Sequence, residues 1–297
     1  MATVRVGTRA SRLALAQAEL AAEGLRAAGH APAIVPLSTI GDRDRRRPFA
    51  EVGSRGIFAS EIEEALADRR IDVAVHSAKD LTGEEPAGLL IGACLERGDP
   101  RDAWCGTATS VAAIPRGAAV ATASLRRTSQ LLRLRPDLRL SSVRGNVETR
   151  LRKRSERGLD AVVLAACGLD RLRIADEIGF RFAAEEMIPE AGQGVIALQV
   201  READLALVTS IGHGPTMLAL RAERLVTRTL AGGCSVPVAA HAEQLDDRWR
   251  VHGYVGTPDG AHTLIEVREH ADPLIAAREV AAELLALGGA AIVEAAR

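Results

Sequence analysis

The sequence predicts an α/β fold followed by a small C-terminal α+β domain with an antiparallel sheet. Three observations carry this. Short apolar strands alternate with helical stretches through most of the chain, and that rhythm implies parallel sheets covered by helices. The rhythm starts twice, near Val4 and again near Val120. From Val236 on it gives way to three strand-length segments joined by short turn sequences.

Residues 4–7 read as a strand and 11–28 as a helix with Leu13, Ala16, Leu20 and Leu25 toward the core. Residues 34–37 form the next strand. The run GDRDRRRP over 41–48 is a polar, charged loop expected to be mobile. A helix over 58–67 leads to a buried strand over 72–76 and another over 89–95, which ends before the turn Arg97-Gly98-Asp99-Pro100. The second start brings a strand near Val120, a helix over 125–134, a strand over 138–143, a helix over 147–157 and a strand over 161–165. After Gly192-Gln193-Gly194 a strand returns over 195–200, and 215–229 is helical. The last part reads as a meander over 236–243, 248–255 and 262–268. Its turns are Asp246-Asp247 and Pro258-Asp259-Gly260, and helices over 273–287 and 290–296 close it.

A length of 297 residues suggests about two domains. With 47% hydrophobic but only 2% aromatic residues, the cores must be aliphatic. A net charge of −1 excludes an overall field that grips nucleic acid or an anionic membrane, so any cationic site is local. No apolar run reaches the ~18 residues of a membrane span, and the first residues hold no signal-peptide core. Cys94, Cys105, Cys167 and Cys234 form no C-x-x-C pair, so neither a zinc nor a disulfide framework is expected. A reduced, cytosolic setting is the expectation. Basic residues are nearly all arginine: the lysines are Lys79 and Lys153, and the one asparagine is Asn146. Lys79 and Asn146 fall at strand ends, whereas Lys153 lies in the charged run 150–157.

In α/β sheets, ligands bind beyond the carboxyl ends of strands, at helix N-termini. Arg9 and Ser11 follow the first strand; Ser77, Lys79 and Asp80 follow Val73-Ala74-Val75. Thr122, Ser124, Arg126 and Arg127 follow the strand at Val120, and Arg144, Asn146 and Arg150 follow the next. Arginine forks bind carboxylates bidentately, and each charge-assisted bond is worth roughly 1.5–3 kcal/mol. Such a crevice expects a ligand with several negative charges. Arg133 and Arg135, further along the helix, read as solvent-facing. Asp80 is the exception in sign. It can accept N–H bonds from a ligand, stabilise a developing cation, transfer a proton or cap a helix. Cys234 sits in Gly232-Gly233-Cys234-Ser235, where glycines let a backbone approach closely. It is open to covalent attachment, or is an inert packing residue as Cys94, Cys105 and Cys167 are expected to be.

These motifs resemble the hydroxymethylbilane synthase (porphobilinogen deaminase) family nearly end to end. The matching runs are Thr8-Arg9-Ala10-Ser11, Val52-Gly53-Ser54-Arg55-Gly56-Ile57-Phe58, His76-Ser77-Ala78-Lys79-Asp80 and Asp99-Pro100-Arg101-Asp102-Ala103. Ser124-Leu125-Arg126-Arg127, Arg144-Gly145-Asn146-Val147, Gly192-Gln193-Gly194 and Gly232-Gly233-Cys234 complete the set in the family's order.

The resemblance implies two periplasmic-binding-protein-like α/β domains with a cleft between them, over 1–95 plus 191–210 and over 96–190. A third α+β domain over 211–297 would carry the cofactor cysteine. It implies that four porphobilinogen molecules are joined head to tail, with loss of ammonia, onto a dipyrromethane primer attached to Cys234 as a thioether. Water then releases hydroxymethylbilane. Asp80 would be the catalytic carboxylate, contacting pyrrole N–H groups and stabilising the azafulvene cation. Ser77, Lys79, Ser124, Arg126, Arg127, Asn146 and Arg150 would bind the primer. Arg9, Ser11, Gln17, Arg144 and Arg150 would handle substrate, with Arg171 aiding chain movement and Phe58 packing near the pyrroles. No metal is implied. The expected state is a cytoplasmic monomer that hands its product to uroporphyrinogen-III synthase.

Four positions depart from the family's habit. Ala123 stands where a hydroxyl is usual, Arg55 and Glu51 where lysines are frequent, and Ala78 where methionine is usual. Two other functions fit parts of the chain. A solute-binding protein or sensor module would share the paired α/β domains, but lacks a reason for Cys234 and its own domain. A nucleic-acid binder would use the arginines, but near-zero net charge and scarce aromatics argue against it.

Overall fold

The computed structural model describes residues 3–37, 57–81, 85–231 and 236–296. Along the chain run β1 (Thr3–Arg9), α1 (Arg12–Ala27), β2 (Ala31–Leu37), α2 (Ile57–Ala67), β3 (Val73–Ser77) and β4 (Leu89–Cys94). Then come β5 (Asp102–Gly106), β6 (Ala119–Ala121), α3 (Leu125–Leu134), β7 (Arg139–Ser141), α4 (Val147–Glu156), β8 (Ala161–Ala165), α5 (Ala166–Arg171) and β9 (Phe180–Arg181). The chain continues with β10 (Ile196–Arg201), α6 (Ala206–Thr209), α7 (Gly214–Ala231), β11 (Val238–Leu245), β12 (Arg248–Gly256), β13 (Thr263–His270), α8 (Pro273–Ala286) and α9 (Gly289–Ala295). These form two compact units, one over Met1–Gly98 with Val195–Met217 and one over Asp99–Gly194 with Leu218–Arg297. None of the described helices is long and apolar enough to cross a membrane. The charged loop over 41–48 lies outside the described residues.

The first unit holds a five-stranded sheet in the order β2-β1-β3-β10-β4. β1 is parallel to β2 and β3, but β10 runs antiparallel to both β3 and β4. The core is aliphatic: Val4, Val6, Val73, Val75, Ile196 and Leu198 pack against Ala18, Ala21 and Leu25 of α1. The face that α1 buries corrects the sequence reading. Ala14, Gln17, Ala18, Ala21, Ala22 and Leu25 are buried, whereas Leu20 is 43% exposed and Leu13 and Ala16 are only half-buried. Small side chains let the helix lie close on β1 and β3. The alanine stripe therefore wins over the bulkier leucines.

The second unit contains another five-stranded sheet, β7-β6-β8-β5-β9. β6 is parallel to β7 and β8, and β5 is antiparallel to β8 and β9. The two sheets thus share one pattern: three parallel strands, then one reversed strand, then an edge strand. The all-parallel sheets expected from βα alternation are corrected to mixed ones. The reversed strand is in each case the first after the chain passes from one unit to the other, β5 after Gly98 and β10 after Gly194. β5, α5 and β9 have no counterpart among the sequence-predicted elements; β5 opens on a charged residue and closes on glycine, so it does not read as a strand.

The third sheet, β11-β12-β13, is the expected antiparallel meander. One face packs on helices through Val226, Val251, Val255, Ala277, Val280 and Leu284. Tyr254, on the opposite face, is buried against Ile188 and Ala239, and its hydroxyl lies 2.5 Å from Ser129 Oγ of α3. Gly260, at the tip between β12 and β13, has φ +70°, and an added Cβ would stand 2.5 Å from the Ser129 carbonyl oxygen. The turn therefore needs glycine, both for its left-handed backbone and for its approach to α3. Arg135 does not simply face solvent as expected. It pairs with Asp137 at 2.8 Å and donates to the carbonyls of Val111 and Ile114. Arg133 likewise donates to the Glu186 carbonyl. Cys94, Cys105 and Cys167 are buried and form no disulfide, and desolvation pushes the Cys105 thiol up to about 12.

Candidate active site

In the first unit, a pocket opens at the carboxyl ends of β1 and β3. Arg9, Ser11, Gln17, His76, Ser77 and Asp80 line it. Local chain physics explains their placement. Ser11 caps α1, its hydroxyl accepting from the Ala14 N–H at 3.3 Å. Gln17 projects from the buried side of α1, where its amide meets the Ser77 hydroxyl through Nε2 at 2.9 Å and Oε1 at 3.1 Å. After β3 the chain turns at once into a 3₁₀ turn over Ala78–Asp80, secured by the Ala78 N–H donating to the Val195 carbonyl at 3.0 Å. Asp80 closes that turn and does not cap a helix, which removes the structural alternative for it. Lys79 and Asp80 are half-buried, and Ala78 is buried as a packing residue.

His76 opens the run His76-Ser77-Ala78-Lys79-Asp80, and nothing beside it in the sequence points to its partners. Its Nε2 lies 3.1 Å from Gln199 Oε1, and Gln199 Nε2 donates to Glu63 Oε1 at 3.0 Å. A carboxylate at the end of this chain orients the glutamine amide, so that Gln199 presents its oxygen to the imidazole. No spacing rule joins residues 63, 76 and 199; the pairing of β3 with β10 and the packing of α2 do.

In the second unit, the arginine junctions divide into two kinds. Arg126 and Arg127 are 2% and 5% exposed and share one partner, Asp102, which is wholly buried at the start of β5. Arg126 Nη1 donates to Asp102 Oδ2 at 2.7 Å and to the Ile188 carbonyl at 2.9 Å. Arg127 Nε donates to Asp102 Oδ1 at 2.9 Å, with further bonds to the Val163 carbonyl and to Gln193. Gln193 in turn donates to the Pro100 carbonyl and to Asp102. Burial alone would push the Asp102 carboxyl up, but the two guanidiniums reverse this and hold it well below the usual carboxylate range. Asp102, Gln193 and nearby carbonyls thus occupy several of the N–H groups that the sequence offers as forks for a polyanion, while Arg126 Nε is buried without a hydrogen-bond partner.

Arg144 and Arg150 are of the second kind. Arg144 is exposed and Arg150 half-buried at the N-terminal end of α4. Asn146 caps that helix, its Oδ1 accepting from the Thr149 N–H at 2.9 Å. Gly145 has φ +120°, and its carbonyl accepts from Arg150 Nε at 2.7 Å. Lys153 donates to the Arg144 carbonyl at 3.0 Å. Ser124 caps α3, accepting from the Arg127 N–H, and Ala123 is exposed beside it. Arg171 donates to the Gly194 carbonyl at 2.6 Å, and burial pushes its guanidinium pKa down. Cys234, Glu51 and Arg55 lie outside the described residues. Phe58 belongs to α2, but its side chain is likewise outside the description.

Fold and side-chain chemistry together describe a mixed α/β protein with cations and hydroxyls gathered at strand ends, followed by a separate antiparallel sheet. Residues 4–209 match the family model for the dipyrromethane cofactor-binding domain of porphobilinogen deaminase, and residues 217–286 match that for its C-terminal domain. Porphobilinogen deaminase of Syntrophotalea carbinolica is 44% identical over 287 residues, covering 95% of this chain and 90% of its own. That of Albidiferax ferrireducens is 42% identical, with 91% and 87% covered, and that of Brevibacillus brevis 41%, with 96% and 94% covered. The chain belongs to the porphobilinogen deaminase family. Among solved structures, a periplasmic substrate-binding protein from Coxiella burnetii aligns over 73% of this chain and 94% of its own, at 17% identity and a TM-score of 0.42.

Proposed function

We propose that this chain joins four porphobilinogen molecules head to tail, releasing ammonia at each joining, onto a dipyrromethane primer held as a thioether on Cys234. Water then releases hydroxymethylbilane. The observation that carries this reading is the placement of Asp80 in one pocket with Arg9, Ser11, Gln17 and Ser77, in a chain of this family. Each porphobilinogen brings two carboxylates and a pyrrole N–H. Arg9 and Ser11 match the carboxylates, with Arg144 as a further grip. Asp80 matches the N–H, and its charge offsets the cation left on the substrate when the bond to ammonia breaks. Gln17 holds Ser77 in place, and Phe58 packs near the pyrroles.

Two features of the chain support a polycarboxylate group as its cofactor. Arg126 Nε is a buried donor with no partner. The remaining donors proposed for it, Ser77, Lys79, Ser124 and Arg150, are cations and hydroxyls that suit acetate and propionate. When bound, dipyrromethane supplies the nucleophilic pyrrole carbon to which the first unit is joined. Arg126 and Arg127 contribute the N–H groups that Asp102 leaves unused. Asn146 contributes its amide N–H₂, since its oxygen is used as a cap. Arg150 serves primer and substrate, and Arg171 steadies the turn at Gly194 as the polymer lengthens. The same reading gives three domains, over 1–95 plus 191–210, 96–190 and 211–297, and a cytoplasmic monomer that hands its product to uroporphyrinogen-III synthase.

Intact-mass measurement tests the attachment. Protein freshly made in a host that supplies porphobilinogen should be heavier than the polypeptide by one dipyrrole, and Cys234→Ser should lose that increment. A mass equal to the bare polypeptide overturns the reading. A second expectation concerns Arg144. Because its side chain is exposed, Arg144→Leu should impair elongation, seen as accumulated short intermediates on native gels, and move the melting temperature little. A collapse of the melting temperature would make the residue structural.

A further inference from the structure

The face of the third sheet that carries Tyr254 also carries a cluster for which the proposed reaction has no use. His252 of β12 is 3% exposed and stands opposite His241 of β11, with ring centroids 6.2 Å apart. His241 Nδ1 lies 3.3 Å from Glu223, whose carboxylate also accepts the N–H groups of Gly192 and Ala242. The cross-strand pairing of β11 and β12 fixes both histidines on one face of the sheet, as a preorganised ligand needs to be. On the open side, His252 Nε2 points at Glu243 Oε1. Glu185, exposed in the turn after β9, completes the group: one ligand atom from each of Glu185, Glu243 and His252 lies within 4.8 Å of the others.

The distances suit a cation better than a hydrogen bond. His252 Nε2 and Glu243 Oε1 are 3.5 Å apart, which is too long for a strong hydrogen bond. Ligands about 2.0–2.1 Å from a tetrahedral zinc ion lie roughly 3.4 Å from each other. Glu185 is exposed, and its ligand atom lies within 4.8 Å of the other two. Two carboxylates converge there; Arg250 donates to Glu269 at 2.8 Å and also pairs with Glu243 Oε1 at 3.5 Å, an ion pair that the cation would replace.

We propose that Glu185, Glu243 and His252 bind a divalent cation of the zinc class, with water completing the tetrahedron, and that the cation ties the turn after β9 to the third sheet. Cysteine spacing predicts no zinc site in this chain. The ligands here are carboxylate and imidazole, drawn from separate elements, and only the packing of the third sheet brings them together. The site is independent of the proposed reaction and of Cys234.

The test uses the full-length holoprotein, stripped with chelator and titrated with Co²⁺ as a visible probe and with Zn²⁺ by calorimetry. The expected result is one equivalent of Co²⁺ with tetrahedral absorption, displaced by Zn²⁺, and a melting temperature that rises with Zn²⁺. Glu185→Gln and Glu243→Gln, at exposed and half-buried positions that leave the fold intact, should each weaken binding at least about 10-fold. Absence of binding overturns the site, as does binding that survives either substitution.

Discussion

Asp80→Ala is expected to lower kcat by at least about 10²-fold while the protein remains folded, because a lost charge-stabilising or proton-handling group costs that much. The structure separates the two effects cleanly. The turn that carries Asp80 is fastened by the Ala78 N–H to the Val195 carbonyl and by the Gln17–Ser77 pair, neither of which involves the aspartate side chain. Removing the carboxylate should leave these bonds in place. Porphobilinogen consumption and thermal melting, measured on the same preparation, check both halves. Asp80→Asn refines the result: it keeps an acceptor oxygen but removes the charge. If the charge is what matters, Asn should behave like Ala. If turnover survives within a few-fold in the alanine variant, Asp80 has no place in the mechanism.

Asp102→Ala should have the largest effect on stability, a loss of about 3–5 kcal/mol, the cost of leaving buried charges without their partner. Two guanidiniums, of Arg126 and Arg127, would then lie buried without a counter-charge. Gln193 would also lose an acceptor. The melting temperature should fall by roughly 10 °C or more. The pH dependence has a definite sign. The folded-state pKa of Asp102 is lowered, so its contribution is fully present above the unfolded value near 3.9 and is lost as pH falls below it. Wild type and variant should therefore differ most at neutral pH, begin to converge only below about pH 4, and approach each other as pH falls toward the lowered folded-state value. Equal denaturation midpoints at pH 7 would show that the cluster does not stabilise the fold.

Much of the site was legible in the sequence because its residues are tied to local geometry. Arg9, Ser11, Ser77 and Asp80 follow strands whose ends apolar runs make plain, and Ser11, Ser124 and Asn146 are caps that any helix start invites. What stayed hidden involves partners distant in sequence. Nothing near Arg126 announces Asp102, because β5 does not read as a strand until its neighbours β8 and β9 are in place. The same holds for His76, Gln199 and Glu63, and for the buried face of α1, where a stripe of alanines displaced the leucines that hydrophobicity alone favours.

The two arginine junctions make the division plain. Local pattern was enough to place four guanidiniums at strand ends, to put Asp80 beside the scarce Lys79, and to set the family by motif order. Those properties depend on residues a few positions apart, where backbone periodicity governs. Which arginines take a buried partner far along the chain depended on the sheet. The reversed strand β5 carries a wholly buried carboxylate to Arg126 and Arg127, while Arg144 and Arg150 lie beyond its reach at the end of α4. A charge buried in a low-dielectric core requires a counter-charge, and strand order, which no local pattern encodes, chooses the partner.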